Sequence, residues 1–430
     1  MRLSTQTPSN SAQIAHPVLR TAVLFANFFL IIMALYHLKP ASRSLVLEAL
    51  GSDSLPYIWI ASAVSLFLLI SVYHRILDHY SRLQVVLGSC VVFILSLVVI
   101  RVLLVFEGEL VPIIFYVFVD IIGVILVEQF WSLTNTIYST EEGKRWYGMV
   151  GTGGLVGGVA GGGAAALVIN YTPLQTPDLL LVAAFIIGII YALTRLMARF
   201  KMYADDSIPS VTKTDSKNGW RALSHNRYLL LIAAALLMAQ LVSPLVEYQF
   251  LRIVESQYTE RESRTAILSL FFSLLSAVSI FVNVLVTPLV LRYLGVLAGL
   301  LVQPLALATS SYGFVLQPTL WPAATMKISD RGLSYSINRA SKELLYIPVD
   351  PVIMYRAKAW IDMFGYRIFK IFGSMLIIIL TQWTTIASGY ADLSWVIIGG
   401  CIVWMLVLIN VYREYQILSH PVLKETTQIR

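Results

Sequence analysis

The chain has 430 residues, of which 57% are apolar and only 13% charged, and its mean hydropathy is +0.75. A water-soluble domain keeps much of its surface polar, so this balance points to lipid as the outer solvent and leaves no room for a large soluble domain. The formal net charge of +7 does not imply nucleic-acid binding, because the cations sit mostly at the ends of apolar runs, where they read as cytoplasmic anchors.

A helix needs about 20 apolar residues to cross hydrocarbon with its backbone satisfied internally. Twelve such spans are predicted. The N-terminal six are Thr21–Leu38, Pro56–Leu77, Leu83–Phe106, Val111–Leu133, Trp146–Tyr171 and Leu179–Phe200. The C-terminal six are Tyr228–Val254, Ala266–Leu291, Val296–Leu316, Trp321–Ile347, Ile361–Trp383 and Leu393–Leu418. The first twenty residues carry scattered polar groups and little cleavage-site character, so no removable signal sequence is expected. Between the sixes lies a Ser-, Thr-, Asp- and Lys-containing stretch without an apolar run, which reads as a linker. The expected organisation is an N-terminal half 1–200, a cytoplasmic linker 201–227 and a C-terminal half 228–430.

Loop charge alternates along these spans. Basic residues follow spans two, four and six (Arg75 and Arg82; Lys144 and Arg145; Lys201 to Arg227), whereas the loops after spans three, five and nine contain no Lys or Arg. Because basic loops stay in the cytoplasm, both termini are expected there, in a bacterial inner membrane. The loop after span one is mixed, holding Lys39 and Arg43.

Span five is glycine-rich from Gly151 to Gly163. It lacks the Lys-Ser/Thr of a P-loop and the preceding strand of a dinucleotide-binding turn. Gly154, Gly158 and Gly162 recur every four residues, a spacing that puts a bare face against a neighbouring helix. Cys90 and Cys401 both lie in apolar runs, and the six histidines fall in loops or near span ends. Neither a metal site, a disulfide framework nor a nucleophilic triad is implied, and no cofactor or enzymatic activity is expected.

Ionisable groups at membrane depth are informative, since each costs at least ~2.5–3.5 kcal/mol to insert and therefore tends to face a hydrated passage. Asp120 lies mid-span four, Glu247 in span seven three residues after Pro244, and Lys370 deep in span eleven with Arg367 three residues earlier. Arg101, near the end of span three, has the reach to snorkel to the interface. Span ten is the most polar. Its Lys327, Asp330, Arg331, Arg339, Lys342 and Glu343 have to line water or pair with one another, Arg339 with Glu343 at i, i+4 for instance.

Several stretches carry a family resemblance. Lys342-Glu343-Leu344-Leu345-Tyr346-Ile347-Pro348-Val349-Asp350, followed by Arg356-Ala357-Lys358-Ala359-Trp360-Ile361-Asp362, resembles the K-E-M-A-Y-I-P-L-D…K-G-K-A-A-I-D signature of the ATP/ADP translocases of plastids and intracellular bacteria. Ser334-Tyr335-Ser336 is similar to the family's K-Y-S, and Thr140-Glu141-Glu142-Gly143-Lys144-Arg145-Trp146-Tyr147 to its stretch before the fifth helix. The loops Asp78–Arg82 and Leu291–Gly295, at matching places in the two halves, resemble the short loops of the major facilitator superfamily. The resemblance implies an all-α, twelve-helix, major-facilitator-like carrier that exchanges nucleotides. It also implies that Lys370, Glu247 (within Leu245-Val246-Glu247) and Asp120 (after Phe115-Tyr116-Val117) are functional charges. A lysine that the family places early in its second helix is replaced here, near Trp59, with Lys39 or Arg43 as candidate substitutes.

The expected activity is secondary transport of an ATP/ADP-like nucleotide or related organic anion by alternating access, in a monomer embedded in the bilayer. Lys370, helped by Arg367 or Arg339, would hold phosphate, with Asp120 and Glu247 holding the cations in its absence or binding a co-transported proton. The competing expectations are carriage of another metabolite or a drug-like cation, or a non-transporting membrane scaffold.

Overall fold

The computed structural model describes residues 17–77, 79–106, 108–138, 140–200, 202, 224, 226–384, 389 and 391–427. The N-terminal stretch read for a signal sequence and most of the expected linker 201–227 lie outside the described residues.

The described residues are helical apart from the short turns between helices. The first six helices are α1 (Pro17–Leu50), α2 (Leu55–Leu77), α3 (Arg82–Leu103), α4 (Leu110–Ile137), α5 (Thr140–Tyr171) and α6 (Leu179–Arg199). There follow α7 (Arg227–Gln257), α8 (Arg261–Phe281), α9 (Thr287–Tyr293), α10 (Gly295–Leu316) and α11 (Leu320–Ser334). The last are α12 (Ile337–Leu345), α13 (Pro351–Trp360), α14 (Tyr366–Ile378) and α15 (Asp392–Thr427). Among the described residues, eleven segments are long and apolar enough to cross a membrane. The twelfth crossing is the polar pair α11–α12, broken at Tyr335-Ser336.

Local chemistry sets these boundaries. Ser81 caps α3 in a reciprocal box with Gln84, and the Asn226 side chain accepts from the Leu229 N–H to start α7. Gly51, at φ +73°, makes the turn into α2. A π-helical stretch, Val282–Val286, joins α8 to α9 just before Pro288, which has no N–H to continue the ladder. By contrast α7 runs unbroken through Pro244.

One boundary departs widely from expectation. The first span, read as ending at Leu38, continues as helix to Leu50, so Lys39 and Arg43 lie within that helix rather than in a loop. Hydropathy truncated the span because both cations face a polar interior and not lipid.

Three apolar clusters hold the bundle. One joins α1, α3, α4, α5 and α6, another packs α10, α12 and α15 against the first half of α7, and a central one brings α1, α2 and α4 against α7, α8, α10, α11, α14 and α15. The glycine run acts in close packing. Gly153, Gly157 and Gly161 lie against the α1 backbone at Phe25, Phe29 and Met33, while Gly158 and Gly162 lie against α8 at Ser276, Ser269 and Ser273. Bare glycine faces let these backbones approach, which larger side chains would prevent.

At one end of the bundle the α1–α2 and α5–α6 turns are bound to the α7–α8 turn. Tyr248 donates to Asp53 at 2.7 Å, the Ser52 N–H to Glu255 at 3.0 Å, and Ser44 to the Arg261 carbonyl at 2.9 Å. The backbone N–H and hydroxyl of Thr176 both donate to Glu262, at 2.8 and 2.6 Å. These bonds close that end over the bundle interior.

Candidate functional site

Below this closure lies a cavity of about 200 Å³ between the two sets of helices. Helical periodicity explains which side chains reach it. On α1, Tyr36, Lys39 and Arg43 are spaced three and four residues apart and share one face. On α7, Gln240, Ser243, Pro244 and Glu247 do the same; Tyr116 and Asp120 come from α4, Lys327 and Arg331 from α11, with Tyr335 at its end. Trp59 of α2, Phe272 and Leu275 of α8 and Lys370 of α14 complete the wall. Five cations therefore face two carboxylates, an electropositive chamber suited to a multiply charged anion.

Ion pairs cross this chamber. The Arg43 Nε lies 3.1 Å from Glu247, whose other oxygen binds Lys327. Lys327 is only 2% exposed and also approaches Asp330 at 3.4 Å, as does the Arg331 Nε. Asp330 sits behind the wall, accepting from Ser243 at 2.7 Å, and its carbonyl accepts from Gln303. On the opposite side the Lys370 Nζ is 3.6 Å from Asp120.

Aromatic rings hold the cations in register. The Arg43 guanidinium carbon lies 5.3 Å from the Tyr116 ring centre and 5.5 Å from that of Phe272. Trp59 donates from its indole nitrogen to the Tyr116 hydroxyl at 2.7 Å, fixing that ring. Lys39 stands 5.6 Å from the Tyr36 ring centre. Such placement attracts a cation through the ring's negative face.

Of the residues singled out from sequence, Asp120, Glu247 and Lys370 come together in the cavity. Arg367 and Arg339 do not line it: Arg367 is half-buried on the neighbouring face of α14, and Arg339 is exposed on α12, beyond the break. The expected Arg339–Glu343 pair is replaced by Lys358–Glu343 at 2.8 Å. Arg101 is held by Asp178 at 2.7 Å. Sequence reasoning named Lys39 and Arg43 only as candidate substitutes for a family lysine, and left Lys327 and Arg331 undistinguished among the polar residues of span ten. The signal available for them was the insertion cost of cations in spans one and ten.

The fold has solved counterparts. The POT family transporter PepTSo superposes with a TM-score of 0.65 over 93% of this chain and 98% of its own, at 11% identity. The nucleoside transporter NupG gives 0.64 over 91% and 99%, at 13% identity. These likenesses show a shared fold alone, all-α and major-facilitator-like. Sequence relatives are more specific. ADP,ATP carrier protein 2 of Chlamydia pneumoniae is 24% identical over 344 residues, 68% of this chain and 64% of that protein. ADP,ATP carrier protein 1 of Chlamydia muridarum is 26% identical over 304 residues, 61% and 57%, and ADP,ATP carrier protein 5 of Rickettsia prowazekii 25% identical over 353, 72% and 68%. The chain thus spans less than two thirds of the length of the Chlamydia carriers it matches. It matches the TLC ATP/ADP transporter family over residues 101–320 and 319–415, and belongs to that family.

Proposed function

We propose that this protein exchanges nucleotides carrying a phosphate chain, ATP- and ADP-like, across a membrane by alternating access. The observation that carries this reading is the cavity itself: Lys39, Arg43, Lys327, Arg331 and Lys370 converge where Trp59, Tyr116 and Phe272 offer aromatic faces. Charge-assisted bonds from several cations suit phosphate oxygens, and the secluded setting strengthens each of them. The names of the relatives, ADP,ATP carrier proteins, support the same substrate class.

Exchange follows from the ion pairs. Glu247 holds Arg43 and Lys327, and Asp120 holds Lys370. An entering phosphate chain takes over those cations, releases the ties between α1 and α7 and between α4 and α14, and lets the helix sets rock. Residues 1–200 and 228–430 form the two rocking halves in this reading, with the basic loops and both termini on the cytoplasmic side of a bacterial inner membrane.

Purified protein reconstituted into vesicles loaded with ADP is expected to take up labelled ATP, and to do so only when the lumen holds a nucleotide. Vesicles that move other solutes but show no nucleotide counterflow would overturn the proposal.

A further inference from the structure

The polar crossing is broken at Ser336, whose φ of −116° and ψ of −102° are not helical, so α12 does not inherit its direction from α11. Helix continuity therefore cannot fix the turn of α11 that carries Lys327, Asp330 and Arg331. Side chains of neighbouring helices reach it instead. From α7 the Ser243 hydroxyl donates to the Asp330 carboxylate at 2.7 Å, and from α8 the Ser279 hydroxyl approaches the Gly332 carbonyl at 3.4 Å. From α10 the Gln303 Nε2 donates to the Asp330 backbone carbonyl at 2.8 Å. Gln303 also holds the far side of the break, its Oε1 accepting from the Asn338 amide of α12.

Gln303 is 1% exposed and stands outside the cavity wall. It lies at a junction of helices. One turn earlier on the same face, a side chain at Gly299 would collide with Ser341 of α12. Two turns later, the Ser310 hydroxyl is 3.5 Å from that of Ser329 on α11. A buried carboxamide satisfied at both ends fits one register only. Turning or sliding α11 against α12 would leave a polar group unpaired among apolar neighbours.

We infer that Gln303 is a positioning residue of the exchange cycle: by bridging α11 and α12 it keeps Lys327 and Arg331 aimed into the cavity without touching substrate itself. The inference rests on the nucleotide reading above. Asp330 carries the effect. Its carbonyl is held by Gln303, and its carboxylate lies 3.4 Å from both Lys327 and Arg331, so displacing this residue re-aims both cations.

The test uses Gln303→Met, which keeps the length of the side chain and removes its amide, in proteoliposomes exchanging labelled ADP. Half-saturating ADP is expected to rise about fivefold or more, with the maximal rate per folded transporter within about twofold of wild type. A merely structural role would lower the amount of folded protein, and with it the total rate, at unchanged half-saturation. Asn338→Leu should show the same split, and the double variant should be no worse than Gln303→Met alone, since both act through one network. Ser310→Ala, on the same face of α10, should be near wild type. Unchanged half-saturation in Gln303→Met, or additive losses in the double variant, overturn the inference; should Gln303→Met not fold, half-saturation in Asn338→Leu decides it alone.

Failure of the nucleotide reading would look different, because wild type itself would exchange no nucleotide. The inference is then read from Tyr335→Cys, at the end of α11, labelled by an impermeant thiol reagent through the cavity that this position lines. Both native cysteines are buried, so background labelling is low. Adding Gln303→Met is expected to change that labelling rate by about threefold or more, while the rate at Gln240→Cys of α7 stays within about twofold. Equal changes at the two positions, or none at either, overturn the inference.

Discussion

The Arg43 Nε lies 3.1 Å from Glu247, and this pair ties α1 to α7 across the cavity. Glu247 at the same time binds Lys327 of α11, so a single carboxylate offsets two cations that a phosphate would also seek. Replacing it with a neutral isostere removes the competitor but leaves the cations without a group to receive them when the substrate departs. Glu247→Gln is therefore expected to lower the half-saturating nucleotide concentration and to reduce turnover by roughly tenfold or more. Steady-state exchange kinetics in proteoliposomes separate the two effects. Unchanged affinity and unchanged rate together would show that Glu247 plays no part in the cycle.

Lys370 and Asp120, 3.6 Å apart, tie α14 to α4 in the opposite polarity. Lys370→Ala is expected to raise the half-saturating concentration about tenfold, since one charge-assisted contact to substrate is lost. Asp120→Asn should act in the other direction on affinity. If the two residues act on each other, the double variant will deviate from the sum of the single effects by at least ~0.5 kcal/mol. Strict additivity would mean that their proximity is incidental.

Those three charged positions were legible because insertion into lipid is costly for any ionised group, wherever its partner lies. The remaining cations were only partly legible, for a geometric reason. Lys39 and Arg43 lie beyond the point where hydropathy ends the first span, although the helix itself continues to Leu50. Lys327 and Arg331 stood among so many polar residues of span ten that sequence alone did not say which faced inward. The break at Tyr335-Ser336 decides it, directing Lys327 and Arg331 to the cavity and leaving Arg339 exposed. Partners distant in sequence were equally out of reach, as with Arg43 and Glu247. The twelve-span layout was legible because each crossing must satisfy its own backbone, a purely local demand.

Trp59 supports Arg43 at one remove. Its indole N–H donates to the Tyr116 hydroxyl, and the Tyr116 ring lies against the guanidinium. Trp59→Phe leaves a buried hydroxyl without its donor and is expected to cost ~1–3 kcal/mol of stability. Half-saturating nucleotide should rise severalfold with little change in maximal rate, and Tyr116→Phe should reproduce the kinetic effect. Normal kinetics in a variant with lowered thermal stability would reduce Trp59 to a packing role.

The glycine run offers a test with a built-in control. A methyl group on Gly162 would stand 2.6 Å from the Ser269 carbonyl oxygen and 2.8 Å from the Ser273 nitrogen, both backbone atoms of α8 that cannot move aside. On the adjacent Gly163 the nearest atom outside its own helix, the Ser273 hydroxyl, is 3.8 Å away. Gly162→Ala is expected to destabilise the α5–α8 contact by ~1–3 kcal/mol and to impair exchange, whereas Gly163→Ala should be near neutral. Equal thermal stability for the two variants would refute the close-packing account of this face.

The bonded turns at one end of the bundle should govern access to the cavity from that side. Glu255 accepts from the Ser52 N–H, and Glu262 accepts twice from Thr176, so both carboxylates clamp the α7–α8 turn onto the other helix set. Each lost bond removes roughly 0.5–1.5 kcal/mol net, more where a charged acceptor is involved, and removing both should raise the population opened at that end by about tenfold or more. Gln240 lines the cavity, while the two native cysteines are buried, so a cysteine introduced at Gln240 reports on access with little background. Labelling of Gln240→Cys by a membrane-impermeant thiol reagent, applied to the face bearing these turns, is expected to accelerate when Glu255→Ala and Glu262→Ala are added. The opposite face should show no comparable gain, because in the proposed alternating-access cycle opening one end draws population from the other. Labelling rates unaffected by the two substitutions would mean that other contacts hold that end closed.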